Sequence, residues 1–236
     1  MGNSYFRFKQ FQVNQEKAGM KVCTDSCLFG AYIAPDNAQN ILDIGSGTGL
    51  LSLMVAQRSS AEIDAVELDP DAASQTEENF NNSPWKDRLR IYSTSIQDYC
   101  TTTSKSYDLI LSNPPFFSNH LLSPNPKLNK ALHNTTLSLS ELSVCVAHLL
   151  SPEGRFYVLL PPYEGSLLEE HLNTSKLFLN HRLEVKDKSE GKIIRVIDCY
   201  SRKPEGATKK LLTIKNTDGQ YTPEFSDLLR PYYLFL

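Results

Sequence analysis

The chain has 236 residues, 40 % hydrophobic and 22 % charged, with a net charge of −3, which allows a sizeable core and excludes an evenly basic nucleic-acid binder. No apolar run approaches the roughly 18 residues of a membrane span, and the first residues lack the apolar core of a signal peptide. The scattered cysteines (Cys23, Cys27, Cys100, Cys145, Cys199) support neither a zinc site nor a disulfide framework, so a metal-free cytoplasmic protein with reduced thiols is expected.

Residues 6–13 alternate apolar with polar (Phe6, Phe8, Phe11, Val13) and predict a short N-terminal hairpin. Thr24 and Asp25 precede the apolar stretch 28–34 and predict a capped helix stopped by Pro35. From residue 40 strands and helices alternate: strand 40–44, helix 50–58, strand 62–67. Asp69 as N-cap and Pro70 at the first helical position then open a helix to about residue 82. Residues 89–92 and 108–112 read as strands, 139–150 as a helix, 156–160 as a strand and 164–173 as a helix. This order predicts an α/β fold, a doubly wound parallel sheet with helices on both faces. After residue 177 the pattern changes. Segments 178–186 and 192–200 alternate around Ser189-Glu190-Gly191, an antiparallel hairpin, and 211–214 reads as a short further strand. With no dividing linker, one domain over 1–236 is expected: hairpin and capped helix at 1–35, core at 36–175, terminal hairpin and tail at 176–236. Residues 117–134, rich in Ser, Asn and Pro, read as a long loop. Charge is uneven: residues 176–215 carry eleven Lys or Arg against five acids, so that segment is +6 and the remainder −9. A basic stripe of this kind suits a nucleic-acid partner or a solvated face.

Two motifs carry chemistry. Asp43-Ile44-Gly45-Ser46-Gly47-Thr48-Gly49 lies between a strand and a helix, where glycines let the backbone approach a ligand at the helix N-terminus. Leu50 stands where the dinucleotide fingerprint has glycine, and Asp43 would repel a pyrophosphate but suit the ammonium of a methionine moiety. Both departures favour S-adenosylmethionine over NAD. Glu67, about twenty residues on at the end of the second strand, is placed for a ribose diol, and Asp98, after the third strand, for an adenine amino group.

The second motif is Asn113-Pro114-Pro115-Phe116, directly after the fourth strand. Methylating a conjugated amine requires its lone pair to be freed from the ring. Two acceptors holding both N–H groups, the Asn113 side-chain oxygen and the Pro114 carbonyl, would do this. Pro114 and Pro115 have fixed φ and stiffen the turn, and Phe116 offers a stacking face worth roughly 1–3 kcal/mol.

With these motifs the chain resembles the class I S-adenosylmethionine-dependent methyltransferases. Within them it is most similar to the bacterial tRNA1(Val) N6-adenosine methyltransferases, which act on the adenosine just 3′ of the anticodon. The likeness also runs through Phe8-Lys9-Gln10-Phe11, Met20-Lys21-Val22-Cys23-Thr24-Asp25 and Tyr232-Tyr233-Leu234. It implies a Rossmann-like, seven-stranded, mostly parallel sheet with a C-terminal antiparallel hairpin. It further implies S-adenosylmethionine as cofactor, tRNA as partner, and contact of the Lys21–Asp25 segment, Thr24 included, with the cofactor's methionine end. Cys23 departs from the family pattern, which has glycine there. The turn alone also suits ribosomal-RNA guanine, DNA adenine or protein glutamine as substrates, and a non-catalytic scaffold is opposed by the intact Asp43, Glu67, Asp98 and Asn113. His133, at the end of the long loop, is a possible proton acceptor or a surface histidine; His120 and His148 read as structural. The aromatic ending 231–236 is expected to be a buried edge segment.

Overall fold

The computed structural model describes residues 3–115 and 137–236. Two short strands, β1 (Tyr5–Arg7) and β2 (Gln12–Asn14), form the predicted N-terminal hairpin, with Phe6 opposite Val13. The central sheet comprises β3 (Asn40–Ile44), β4 (Glu62–Glu67), β5 (Leu89–Ser93), β6 (Tyr107–Ser112), β7 (Leu150–Leu160), β8 (Phe178–Lys188), β9 (Ile193–Ser201) and β10 (Thr208–Lys215). Their spatial order is β10-β8-β9-β7-β6-β3-β4-β5, and only β9 runs against its neighbours.

The sheet has eight strands where the resemblance implied seven. Residues 208–215 add the last one, pairing in parallel with β8 from Thr208 opposite His181 to Lys215 opposite Lys188. Because β9 is antiparallel, it ends on the edge where β10 must begin, so a short connection suffices.

Strand periodicity divides the core into two. On one face α1 (Thr24–Tyr32), α2 (Leu50–Ala56), α3 (Pro70–Asn81) and α7 (Pro223–Leu229) pack over Ile41, Ile63, Leu109, Leu183, Val185 and Ile197. On the other, α4 (Ile96–Thr102), α5 (Leu139–Leu149) and α6 (Pro162–Thr174) cover Leu42, Ile110, Phe156, Val158, Val196 and Tyr200. Neighbouring strand residues face opposite ways, so a strand with a helix layer on each side reads as a continuous apolar run.

Helix starts follow cap chemistry, with one correction. Asp69 accepts from Asp71 N (2.9 Å) ahead of Pro70, and Ser138 with Glu141 forms a capping box at α5. At α1 the N-cap is Cys23 with no side-chain cap bond, and Thr24 and Asp25 are already helical, so the capping role expected of them is not what the structure shows.

The chain ends meet. Lys9 N donates to Tyr232 O (2.8 Å), Lys9 Nζ to Arg230 O (2.6 Å), and the Tyr232 hydroxyl to Met54 O in α2 (3.0 Å). Tyr233 packs against Phe6 and Phe8. The expected burial of the ending holds for Tyr232, 1 % exposed, and fails for Phe235, 94 % exposed.

Part of the basic segment is consumed internally. Arg182 forks onto fully buried Asp198 (Nε–Oδ1 2.7 Å, Nη2–Oδ2 2.7 Å) and reaches Glu169 (3.1 Å). Arg182→Met would strand the Asp198 carboxylate in the core. It should lower unfolding free energy by about 3–5 kcal/mol in urea denaturation, and Arg182→Met combined with Asp198→Leu should recover most of that loss.

Candidate active site

The carboxyl ends of β3, β4, β5 and β6 surround a cavity of about 1010 Å³, where strand order reverses between β3 and β6. Open parallel sheets take ligands at such a switch point. One wall is the glycine loop (Gly45, Ser46, Gly47, Thr48), another Glu67 and Leu68, a third Ser95, Ile96 and Gln97, a fourth Asn113, Pro114 and Pro115. Lys21, Val22 and Ser26 close the remaining side.

Gly45, Gly47 and Gly49 all lie in the left-handed region, at φ +73°, +58° and +77°. A side chain is strained at each of these angles. At Gly49, the N-cap of α2, an added Cβ would also come within 2.7 Å of Phe80. The loop is pinned on two sides. From β4, Val66 O accepts from Gly45 N (2.9 Å) and the Glu67 carboxylate from Gly47 N (2.8 Å). From α3, the Thr76 hydroxyl donates to Gly47 O (2.8 Å) and the Asn79 amide to Thr48 O (2.8 Å). Thr76 and Asn79, with Gln75, form a buried polar ridge that also holds the N-terminal segment. Asn79 bonds both backbone groups of Asn14, and Gln75 Oε1 accepts from Glu16 N and Lys17 N.

Asp43 lies behind this wall, fully buried. Ser52 donates to its Oδ2 through both backbone (3.2 Å) and hydroxyl (2.7 Å), while Oδ1 has no hydrogen-bond partner among the described residues. Desolvation pushes its carboxyl up to about 7, against the pull of the Ser52 bonds and with help from the nearby Glu67 charge. Glu67 stands at the cavity with its second oxygen accepting from Asp69 N (3.0 Å).

Asn113 carries a second orphaned acceptor. Its Nδ2 donates to the Ser26 hydroxyl (3.0 Å), which fixes the amide so that Oδ1, buried and without a hydrogen-bond partner among the described residues, belongs to the cavity wall. Ser26 in turn meets the Cys23 thiol (3.2 Å). Ser26 was not visible in the sequence because its contact spans 87 positions. Leu68, apolar and 53 % exposed on the cavity wall, carries a local signal in its place directly after the acid that ends β4.

The structure brings Gly45, Gly47, Glu67, Asn113, Pro114 and Pro115 to one cavity and places Asp43 and Gly49 just behind it. It does not bring Asp98 there. Asp98 is in the first turn of α4, where its carboxylate accepts from the Ser95 hydroxyl (2.7 Å) and its N–H donates back to it (3.0 Å), so it serves the helix start. Ser95, Ile96 and Gln97 face the cavity instead. Thr24 is likewise absent from the wall; Lys21, Val22 and Ser26 occupy the side it was expected to share. Phe116, His120, His133 and the 117–134 loop lie outside the described residues.

Comparison with known proteins places the chain in a family and a fold class. Residues 20–159 match the family model of the methyltransferase small domain. The chain is 46 % identical to a tRNA1(Val) (adenine(37)-N6)-methyltransferase of Cytophaga hutchinsonii, covering 100 % of both chains. It is 42 % identical to one of Dyadobacter fermentans, covering 98 % of both. Among solved structures, a predicted O-methyltransferase from Agrobacterium tumefaciens shares the fold at a TM-score of 0.64 and 14 % identity, over 87 % of this chain and 95 % of that one.

Ser26→Ala would free the Asn113 amide to rotate. Losing one orienting bond, worth about 0.5–1.5 kcal/mol, should lower kcat for methyl transfer roughly three- to tenfold with little change in cofactor KM or Tm. Steady-state kinetics beside a melting curve checks this, and Ser26→Thr, which keeps the hydroxyl, should restore most of the rate.

Proposed function

This chain belongs to the tRNA1(Val) (adenine(37)-N6)-methyltransferase family, and from that premise we propose that it methylates N6 of adenosine 37 in a valine tRNA, using S-adenosylmethionine, as one domain acting in the cytoplasm. The observation that carries the reading is the buried, unpartnered Asn113 Oδ1 in the cavity that the glycine loop floors.

The residues fit the cofactor. Asp43 Oδ1 is a buried carboxylate oxygen with no protein partner, suited to an ammonium, and the Lys21 ammonium suits a carboxylate. Glu67 suits a ribose diol, while apolar Leu68 and Ile96, beside Ser95 and Gln97, suit a purine. Bound S-adenosylmethionine supplies an electrophilic methyl carbon on its sulfonium. Asn113 Oδ1 and the Pro114 carbonyl accept the two N–H groups of the target amine, which turns its lone pair out of conjugation and offsets positive charge building on nitrogen. The lone pair itself attacks the methyl carbon as its bond to sulfur breaks, so no side chain removes a proton first; the surplus N–H proton is lost to solvent afterwards. Pro114 and Pro115 fix the turn, and Phe116 is proposed to stack on the base.

Incubating the protein and labelled S-adenosylmethionine with tRNA lacking this modification should give N6-methyladenosine at position 37 of the valine tRNA by nucleoside mass spectrometry. Label in ribosomal RNA, DNA or protein instead would refute the substrate assignment. Asn113→Ala should lower single-turnover methyl transfer by about a hundredfold or more, the scale of losing one preorganised transition-state contact, with cofactor affinity within a few fold. A near wild-type rate would sink the clamp.

Asp43 titrates near 7, and only its carboxylate form attracts an ammonium. Cofactor affinity should therefore rise as pH increases from about 6 to about 7.5, and fall in the acid direction as Asp43 is neutralised. Calorimetry across this range should show the rise in the native protein and a flat profile for Asp43→Asn.

A further inference from the structure

The eleven basic residues of segment 176–215 do not act as one stripe. Arg182 and Arg195 are paired with Asp198 and Asp25, Arg202 is spent on the carbonyls of Ala147 and Leu150, and Lys203 pairs with Glu153. Ion pairs among the described residues engage none of the segment's other lysines.

Strand alternation then sorts those lysines. In β8, Leu183 and Val185 enter the core beneath α1 and α7, so Glu184, Lys186 and Lys188 face the opposite side, as Arg182 does towards α6. In β10, Leu212 and Ile214 enter the same core, which turns Lys209, Leu211, Thr213 and Lys215 outward with them. The register aligns the rows: Lys209 beside Arg182, Leu211 beside Glu184, Thr213 beside Lys186, Lys215 beside Lys188. This face is open at the sheet's edge, where Leu211 is 57 % exposed. Lys210 belongs to the other side, near His181 and thus towards α1. Like charges on adjacent strand positions repel, and Lys188 beside Lys215 is such a pair with no carboxylate bonded to either. A polyanion laid across the rows would remove that repulsion.

Topology aims the patch at the cavity. β8 and β10 run parallel to β6 and β7, so Lys186, Lys188 and Lys215, at their carboxyl ends, share the sheet edge that carries Asn113. β8 is three strand positions from β6 and β10 four, about 14 and 19 Å at the usual strand spacing of ~4.8 Å.

The geometry points to this open face of β8 and β10 as the surface that grips the phosphate backbone of the substrate RNA, with Lys186, Lys188 and Lys215 as its phosphate contacts; the inference rests on the tRNA reading above. RNA held there presents its base at the carboxyl end of β6. Contact is electrostatic and local, because the body of the chain is acidic.

The test compares the native protein with Lys186→Gln/Lys188→Gln/Lys215→Gln, with the same three positions changed to Arg, and with Lys210→Gln. Affinity for the unmodified valine tRNA is measured against salt concentration, beside kcat, cofactor affinity and Tm. The triple Gln variant should bind roughly tenfold or more weakly, and its log–log salt slope should shrink by about 1 per lysine lost, with kcat at saturating tRNA, cofactor affinity and Tm retained. The Arg variant and Lys210→Gln should keep the native slope. If all variants methylate the tRNA and share one affinity and slope, the docking surface is refuted while the substrate reading stands. If the native protein neither binds nor methylates tRNA, the substrate reading fails and takes this inference with it.

Discussion

A cavity wall made of glycine backbone has no side chains with which to hold itself, so its shape must be imposed from outside, and here the buried polar ridge of α3 imposes it. Thr76 and Asn79 donate to the loop carbonyls from behind, while Glu67 accepts the Gly47 N–H from β4. The Asn79–Thr48 bond is buried and the other two are part-buried, so breaking them would leave donors or acceptors at least partly desolvated. The same ridge holds residues 14–17 through Asn79 and Gln75, and so positions the segment that leads to Lys21. Two walls that come from distant parts of the sequence are thus referenced to one helix. Their spacing is a property of α3 and not of either wall.

Against that satisfied ridge, two of the buried acceptors that lack a hydrogen-bond partner among the described residues stand out. Asp43 Oδ1 and Asn113 Oδ1 are buried, and an unpaired buried oxygen is costly in the free protein. The neighbours of each explain why it persists. Ser52 and Ser26 bond only the other atom of the side chain, which locks its orientation and leaves one oxygen for a ligand. If these are the recognition groups, as proposed above, they are fixed before any ligand arrives, and little reorganisation is needed when it binds.

Much of this was legible in the sequence where the signal is local. The glycine spacing and the acid ending β4 follow from steric and chemical demands on adjacent residues, and the strand–helix alternation gave the sheet. Asp98 shows the limit of that reading. Its position after a strand suggested a ligand, but Ser95 three residues earlier makes the pair a helix start, and the competition between those roles is decided by side-chain direction. Ser26, the ridge of α3 and the division of the basic segment are non-local. A buried Gln75, Thr76 and Asn79 read as ordinary polar helix positions until their distant partners are known. Likewise, a run of lysines and arginines says nothing of which face each takes until Leu183, Val185, Leu212 and Ile214 are seen in the core.

The clasp between the chain ends bears on how the molecule is made. Residues 6–9 wait for residues 230–233, and Tyr232 must arrive before α2 gains its last carbonyl partner. On a ribosome, where earlier residues emerge first, Phe6 and Phe8 lack the Tyr233 ring until residue 233 has been made. Closing a loop of this span also comes late, because its entropy is paid before its contacts form. A chain that stops short would carry the glycine loop, the clamp and the basic face, yet leave Phe6 and Phe8 without the Tyr233 ring they pack against. The packing of residues 6–8 thus depends on translation having passed residue 233, in a protein that would itself modify a component of translation.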